Sequence, residues 1–201
     1  AITIKDDLKY YNALIDTKKC VDCGLCTKVC PRENDNDMSK PKWWYQGWAD
    51  SEIREHASSG GAASAIIRAF IKHGGYVASC LFDSGKFVFE VTNEMAVARK
   101  FAGSKYVKSN PEKIYGKIQS LLKANQKVLF IGLPCQVAAV NQFIKDKTNL
   151  VTADLICHGT PSPYLLKKCL QEYGHDINTL TDINFRIKSL YELNRDGKPI
   201  A

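Results

Sequence analysis

The amino-acid sequence predicts an α/β fold (α+β overall), with a mixed, partly parallel sheet and flanking helices, preceded by a short cysteine-bearing module. Three observations predict it. From Lys127 to Gly174 an apolar run, a helical pattern, an apolar run and a second helical pattern follow one another. That β-α-β-α order builds a parallel sheet with right-handed crossovers. Two apolar runs, YVASCLF and KFVFEVT, flank the turn residues DSG and read as an antiparallel hairpin. Finally, four cysteines crowd into residues 20–30 ahead of the polar stretch RENDNDMSKPK. The chain therefore divides into residues 1–41, module and linker, and residues 42–201, the α/β domain.

The cysteine run reads CVDCGLCTKVCP, that is Cys20-x2-Cys23-x2-Cys26-x3-Cys30-Pro31. This is the spacing of the bacterial-type 4Fe-4S ferredoxin loop. Gly24 leaves the backbone free for positive φ, so that successive N–H groups can face cluster sulfurs. Pro31 ends the turn. A zinc ribbon needs a second, separated C-x2-C pair, which the sequence lacks, and the run is too crowded for unstrained disulfides. In two-cluster ferredoxins the fourth cysteine of each run serves the other cube, so Cys30 would reach for a cluster whose own three ligands are absent here. The opening AITIKDDLKYYNALID resembles the hairpin spacer between the two runs of such a ferredoxin, and no initiator Met precedes it. The expectation is a fragment that lacks the first run and a C-terminal part.

In the larger domain, WWYQGWA reads as a short aromatic strand, and Asp50 or Ser51 caps a short helix through His56. Ser58-Ser59-Gly60-Gly61 opens the helix AASAIIRAFIKHG, which Gly74 closes. After the hairpin, residues 94–100 form a short helix. Pro111 stands where the next helix starts, with Ile114, Ile118, Leu121 and Leu122 at helical spacing. KVLFIG is a buried strand, Pro134 opens CQVAAVNQFIK, NLVTADLIC is the next strand, and Pro161 opens PSPYLLKKCLQEYG. On that last helix Leu166, Cys169, Leu170 and Tyr173 share one face, a core-packing pattern. The alternation of Ile183, Phe185 and Ile187 starts a further strand.

Composition bounds the function. At 201 residues and 45% hydrophobic the chain can bury a proper core. No run of 18 apolar residues occurs, so no transmembrane segment is predicted. Eight cysteines, four at metal spacing, suit a reducing, cytoplasmic setting better than a disulfide scaffold. The net charge of +7 comes from scattered lysines and arginines, without the dense basic patch of a nucleic-acid binder. Bound anionic cofactors would lower it.

The parallel arrangement places Cys135, in the first turn of a helix, and Cys157, at the end of the following strand, on the carboxyl edge of the sheet. Open α/β sheets bind ligands at that edge. The two thiols could ligate a further cluster or line a flavin; buried, inert cysteines are the plainer alternative. Cys80, inside a strand pattern, is open to the same two readings. The Ser58–Gly61 loop can cradle a phosphate or simply cap its helix. Gly103-Ser104-Lys105-Tyr106 offers a flexible turn, a cation and an aromatic face, or a plain surface loop. His158 could donate a proton, and Trp43, Trp44 and Trp48 read as core or interface aromatics.

Taken together, CVDCGLCTKVCP, SSGGAASAI, GSKYVKSN, FIGLPCQVAAV and DLICHGTPSP occur in order over Ala1 to about Tyr173. In this the chain resembles the beta subunit family of coenzyme F420 hydrogenase/dehydrogenase. The resemblance implies an iron–sulfur flavoprotein oxidoreductase that passes electrons between FAD and 4Fe-4S clusters. Coenzyme F420 or another hydride carrier would be the small redox substrate, and a redox protein or sister subunits the partner. It implies that Ser59, Gly60 and Gly61 contact FAD phosphates, and that Gly103, Ser104 and Lys105 help enclose the flavin. Cys20, Cys23, Cys26 and Cys30 would ligate clusters, with Cys135 and Cys157 at a further cluster or the flavin wall. The alternative is a non-enzymatic 4Fe-4S module that relays electrons to a docked partner. No nucleic-acid partner is expected.

Overall fold

A computed structural model describes residues 1–6, 11–33, 40–111, 113–186, 193–195 and 198–200. The first residues form an antiparallel hairpin, β1 (Ile2–Asp6) and β2 (Tyr11–Ile15), with Ile2 opposite Ile15. The cysteine loop follows and holds one short helix, α1 (Leu25–Lys28). The hairpin was expected from the spacer resemblance.

The larger domain is built on a four-stranded sheet in the order β4-β3-β5-β6. β3 (Tyr76–Asp83) and β4 (Lys86–Thr92) pair antiparallel across a two-residue Ser84-Gly85 turn. Both turn residues have positive φ, 47° and 81°, the combination a tight hairpin needs. β5 (Val128–Gly132) runs parallel to β3, and β6 (Leu150–Asp154) parallel to β5. All five residues of β5 are buried, as a strand covered on both faces must be.

Period-2 alternation assigns the two faces. Ala78, Val128 and Phe130 pack with Ile114 and Ile118 of α5 (Ile114–Lys123) and Val137 and Val140 of α6 (Pro134–Phe143). Val77, Leu129 and Ile131 face the other way, onto Ile67 of α3 (Ala62–Lys72), Ala98 of α4 (Met95–Ala98) and Phe101 of the following 3-10 turn. A third cluster joins Phe82 and Phe87 at the hairpin end to Leu166 and Leu170 of α7 (Pro163–Glu172), with Ile177, Leu180 and Ile183 beyond it. A two-residue-strand hairpin, β7 (Asn194–Arg195) and β8 (Lys198–Pro199), closes the described chain.

Several expectations change. Residues 43–49 form no strand: the run finds no partner strand, and Trp43, Trp44, Tyr45 and Trp48 are all exposed, Trp44 at 86%. The expected core role of these tryptophans is therefore not seen. α2 (Ser51–Glu55) is capped as expected, with Asp50 Oδ1 accepting from Ile53 N–H at 3.1 Å. α7 begins at Pro163 rather than Pro161, because Ser162 is its cap and accepts from Tyr164 N–H at 3.1 Å. Leu166 and Leu170 are buried as the periodicity requires, but Cys169 is only half-buried and Tyr173, past the helix end, is exposed. β6 stops at Asp154, which leaves Cys157 three residues beyond the strand. Residues 183–186 make no strand, and Ile187 lies outside the described residues.

Candidate functional site

A cleft of about 840 Å³ lies at the carboxyl end of β3. Phe82 and Asp83 form its floor, α2 and α3 one side, α4 and the 3-10 turn another, and residues 181–186 the third. Its volume falls in the range of cofactor pockets. The lining mixes signs. Arg68, Arg99, Lys100 and Arg186 stand among Glu52, Glu55, Asp83 and Asp182, and Arg68 Nη1 pairs with Glu52 Oε1 at 3.0 Å.

Two loops singled out in the sequence meet at this cleft. The buried Ser58 hydroxyl accepts a hydrogen bond from Ser104 N–H at 2.8 Å. The Ser-Gly turn is itself held from behind, where Ala49 N–H donates to Gly60 O at 2.8 Å. Gly61 caps α3 with φ 78°, and a Cβ there would sit 3.1 Å from Ala49 Cβ, so both conformation and space ask for glycine. No side chain caps α3 and no acid lies in its first turn, which leaves its positive end uncompensated by the helix's own residues.

Lys105 takes a different place from the one its charge suggests. Its Nζ turns inward and donates to the carbonyl oxygens of Lys100 at 3.1 Å, Phe101 at 2.9 Å, Ala102 at 2.6 Å and Gly103 at 3.1 Å. The ammonium thus draws the end of the 3-10 turn into a ring that forms one wall of the cleft. Burial pulls its pKa down to about 8, against the pull of Cys80 and Asp182 in the other direction. Cys80 lies on β3 beneath it, its thiol pushed up to about 11 by burial. A thiol held neutral in this way is neither a ready ligand nor a nucleophile.

The remaining residues distribute as follows. Ser58, Gly103 and Lys105 line the cleft; Ser59, Gly60, Gly61 and Ser104 stand just behind its wall. Cys135, at the second position of α6, and Cys157, beyond β6, are exposed at the same carboxyl edge but outside the cleft lining. They are bound into one edge by Leu155 N–H donating to Gly132 O at 2.9 Å. Gly159 N–H donates to Cys157 Sγ at 3.3 Å. Burial, with Cys135 close by, pushes the Tyr115 phenol up to about 12. His158 is exposed and away from the cleft lining. Sequence reasoning missed Asn184, whose Oδ1 would lie 3.4 Å from a Cβ on Gly103, and also Arg99 and Arg186. Nothing in their local sequence carried a motif.

In the N-terminal module none of the four motif cysteines is in a disulfide, with Cys20, Cys23 and Cys26 exposed and Cys30 half-buried. Asp22 and Gly24 both have positive φ, 50° and 68°, and α1 starts directly after Gly24. This winds the loop around its cysteines. Among the described residues no three His, Cys, Asp or Glu side chains converge as one metal ion requires. Cysteines spaced along one tight loop suit a cube, which takes each cysteine sulfur at a separate iron corner.

Comparison with known proteins bears on both parts. Residues 125–200 match the family that describes the C-terminal part of the coenzyme F420 hydrogenase/dehydrogenase beta subunit, and residues 11–32 match the 4Fe-4S binding domain. The uncharacterized protein MJ1349 of Methanocaldococcus jannaschii is 27% identical over 141 residues, covering 65% of this chain and 39% of the relative. Among solved structures, a chain of the F420-reducing [NiFe] hydrogenase complex from Methanosarcina barkeri superposes with a TM-score of 0.57 at 18% identity. That match covers 75% of this chain and 55% of the other. The likeness shows the mixed α/β fold to be shared. The chain spans well under two thirds of either relative's length.

Proposed function

We propose that this chain, an F420 hydrogenase beta subunit-like protein with a 4Fe-4S binding domain, is an iron–sulfur flavoprotein oxidoreductase with FAD seated in the cleft at the end of β3. The coarser part of this reading is plain: it is an iron–sulfur redox protein related to that subunit. The flavin, the hydride carrier, with coenzyme F420 as the first to try, and a cytoplasmic setting are our proposals. The observation that carries the flavin reading is the junction of the two loops, Ser104 N–H on Ser58 Oγ, at the wall of the 840 Å³ cleft.

When bound, FAD exchanges a hydride with a two-electron carrier and single electrons with a 4Fe-4S cluster. The chain's own residues bind, orient and exclude water. Phosphate binding in the cleft is supported by Ser64, in the first turn of the uncapped α3, and by the exposed Arg99 and Lys100, all three lining residues. Gly103, with φ 79° and no side chain, lets a planar group approach the backbone. Phe82, Ile183 and Met95 belong to the apolar part of the lining, which would keep water from the reacting face. Ser58 Oγ accepts from Ser104 N–H and so ties the two loops together at the wall. The Cys20, Cys23 and Cys26 thiolates would hold the cube, with Cys30 serving it or a neighbouring one. Eight cysteines, none in a disulfide, suit a reducing compartment. A redox protein or sister subunit is the partner this chemistry requires.

An anaerobic visible spectrum of the protein that carries this chain, with flavin, iron and sulfide quantified per chain, tests the reading. Bound flavin together with about four or about eight irons is the expected result. About four irons without flavin would overturn it and leave an electron relay whose Ser-Gly loop is a helix start alone.

A further inference from the structure

Residues 103–110 run as a strap along the carboxyl edge of the sheet, and each part of it is tied to a different element. At one end Ser104 N–H is held by Ser58 Oγ at 2.8 Å, and Lys105 is locked into the carbonyl ring. In the middle Lys108 N–H donates to Pro161 O at 2.9 Å, on the loop that carries Cys157. At the other end Asn110 N–H donates to Phe87 O at 2.8 Å and bridges β4. Between these ties sits Ser109, 5% exposed.

Ser109 meets one side chain from α6. Gln136, also 5% exposed, uses both ends of its amide. Its Oε1 accepts from Leu133 N–H at 2.9 Å, and its Nε2 donates to Ser109 Oγ at 3.1 Å. The first bond caps α6 in place of the apolar Leu133 side chain and fixes the turn that bears Cys135. The second joins that turn to the strap. Gly132 makes room: a Cβ there would lie 3.1 Å from Gln136 Oε1 and 2.8 Å from the Phe130 ring. No buried side-chain nitrogen or oxygen among the described residues lacks a partner; removing Ser109 would take away the acceptor of Gln136 Nε2, and removing Gln136 would leave Ser109 with the Cys80 thiol but without its tie to α6.

We infer that Gln136 is a positioning residue for the cleft: through Ser109 it holds the strap, and with it the Gly103–Lys105 wall, in register with the carboxyl edge of the sheet. The consequence for cofactor affinity rests on the reading of the cleft as a flavin site; the mechanical link does not. Gln136 touches no cleft surface, and its effect reaches the wall only along the strap.

Amide hydrogen exchange tests the link without any ligand. In Gln136→Met, protection at Ser104 and Lys108 is expected to fall at least tenfold. Asn110, anchored separately on Phe87, and the core amides of Ile118 and Leu129 should keep theirs. Gln136→Glu can still accept from Leu133 N–H and from a turned Ser109 hydroxyl, and should restore protection. Ser109→Ala, a milder change, should reproduce the loss if the methionine variant does not fold. Unchanged protection at Ser104 and Lys108, within twofold, would overturn the inference. FAD titration then separates the two claims. If the wild type binds FAD, Gln136→Met should weaken it at least tenfold. If the wild type binds none, the flavin reading fails while the exchange result still decides the positioning role.

Discussion

Lys105 shows how a residue marked out by charge can turn that charge onto its own backbone and shape a wall. Its ammonium is spent on four backbone carbonyls, the closest at 2.6 Å, and desolvation lowers its pKa to about 8 from 10.5. A lysine whose folded pKa lies below its unfolded value binds fewer protons when folded. Its contribution to stability therefore rises with pH between about 8 and 10.5 and is a constant penalty below that window. Cys80 runs the other way: its thiol, raised from 9.0 to about 11, stays protonated in the fold, so its contribution falls with pH between those values. The difference in unfolding free energy between wild type and Lys105→Met isolates the lysine. It should grow in favour of the wild type from pH 8 to 10, by up to about 1.4 kcal/mol per pH unit. A difference that is flat over that range, by chemical denaturation, would refute a buried charged Lys105.

At the scale of elements, the β3–β4 hairpin fixes the floor of the cleft, and its turn is the place where one atom matters most. Gly85 has φ 81°, and an added Cβ would lie 2.9 Å from Asn178 Oδ1 and 3.2 Å from the backbone at Asn178 Cα and Ile177 O. The 3-10 turn after α7 packs directly on the hairpin, so neither side can yield. Gly85→Ala should cost on the order of 3 kcal/mol, from the strained φ and the clash together. A urea midpoint that did not move would show that the two turns separate freely. The same hairpin explains why a sequence pattern with DSG between its strands closes on Ser84-Gly85 alone: Asp83 pairs with Lys86 and belongs to the ladder.

The whole molecule divides its labour between a metal-holding loop and a packed domain. Every residue of the three buried clusters is numbered 67 or higher, and Ile2, Ile4, Leu14, Ile15, Val21 and Leu25 are all exposed. Among the described residues, the buried clusters of the α/β core include none from the cysteine module. Cys23→Ser should remove the 4Fe-4S absorbance while leaving the urea midpoint and any flavin affinity of the α/β domain within error of wild type. Loss of the domain's cooperative unfolding in that variant would show that the cluster is part of its stability. No helix among the described residues is long and apolar enough to cross a membrane.

Much of this protein was legible before folding, wherever the signal was local. The Cys20–Cys30 run was legible because its spacing is local, and residues 11–32 match the 4Fe-4S binding domain. The hairpin and the parallel strands announce themselves because period-2 and period-3.6 patterns are properties of neighbours in sequence. Trp43–Trp48 misled for the same reason: aromatic residues suit a strand, but a strand exists only where a partner offers hydrogen bonds, and none does. Which of two adjacent serines would be buried, Ser58 or Ser59, and where the Lys105 ammonium would point were settled by tertiary structure. So was the bond from Gln136 to Ser109, 27 residues apart. Such contacts depend on how the sheet's carboxyl edge brings distant loops together, and no local pattern encodes a distance across a fold.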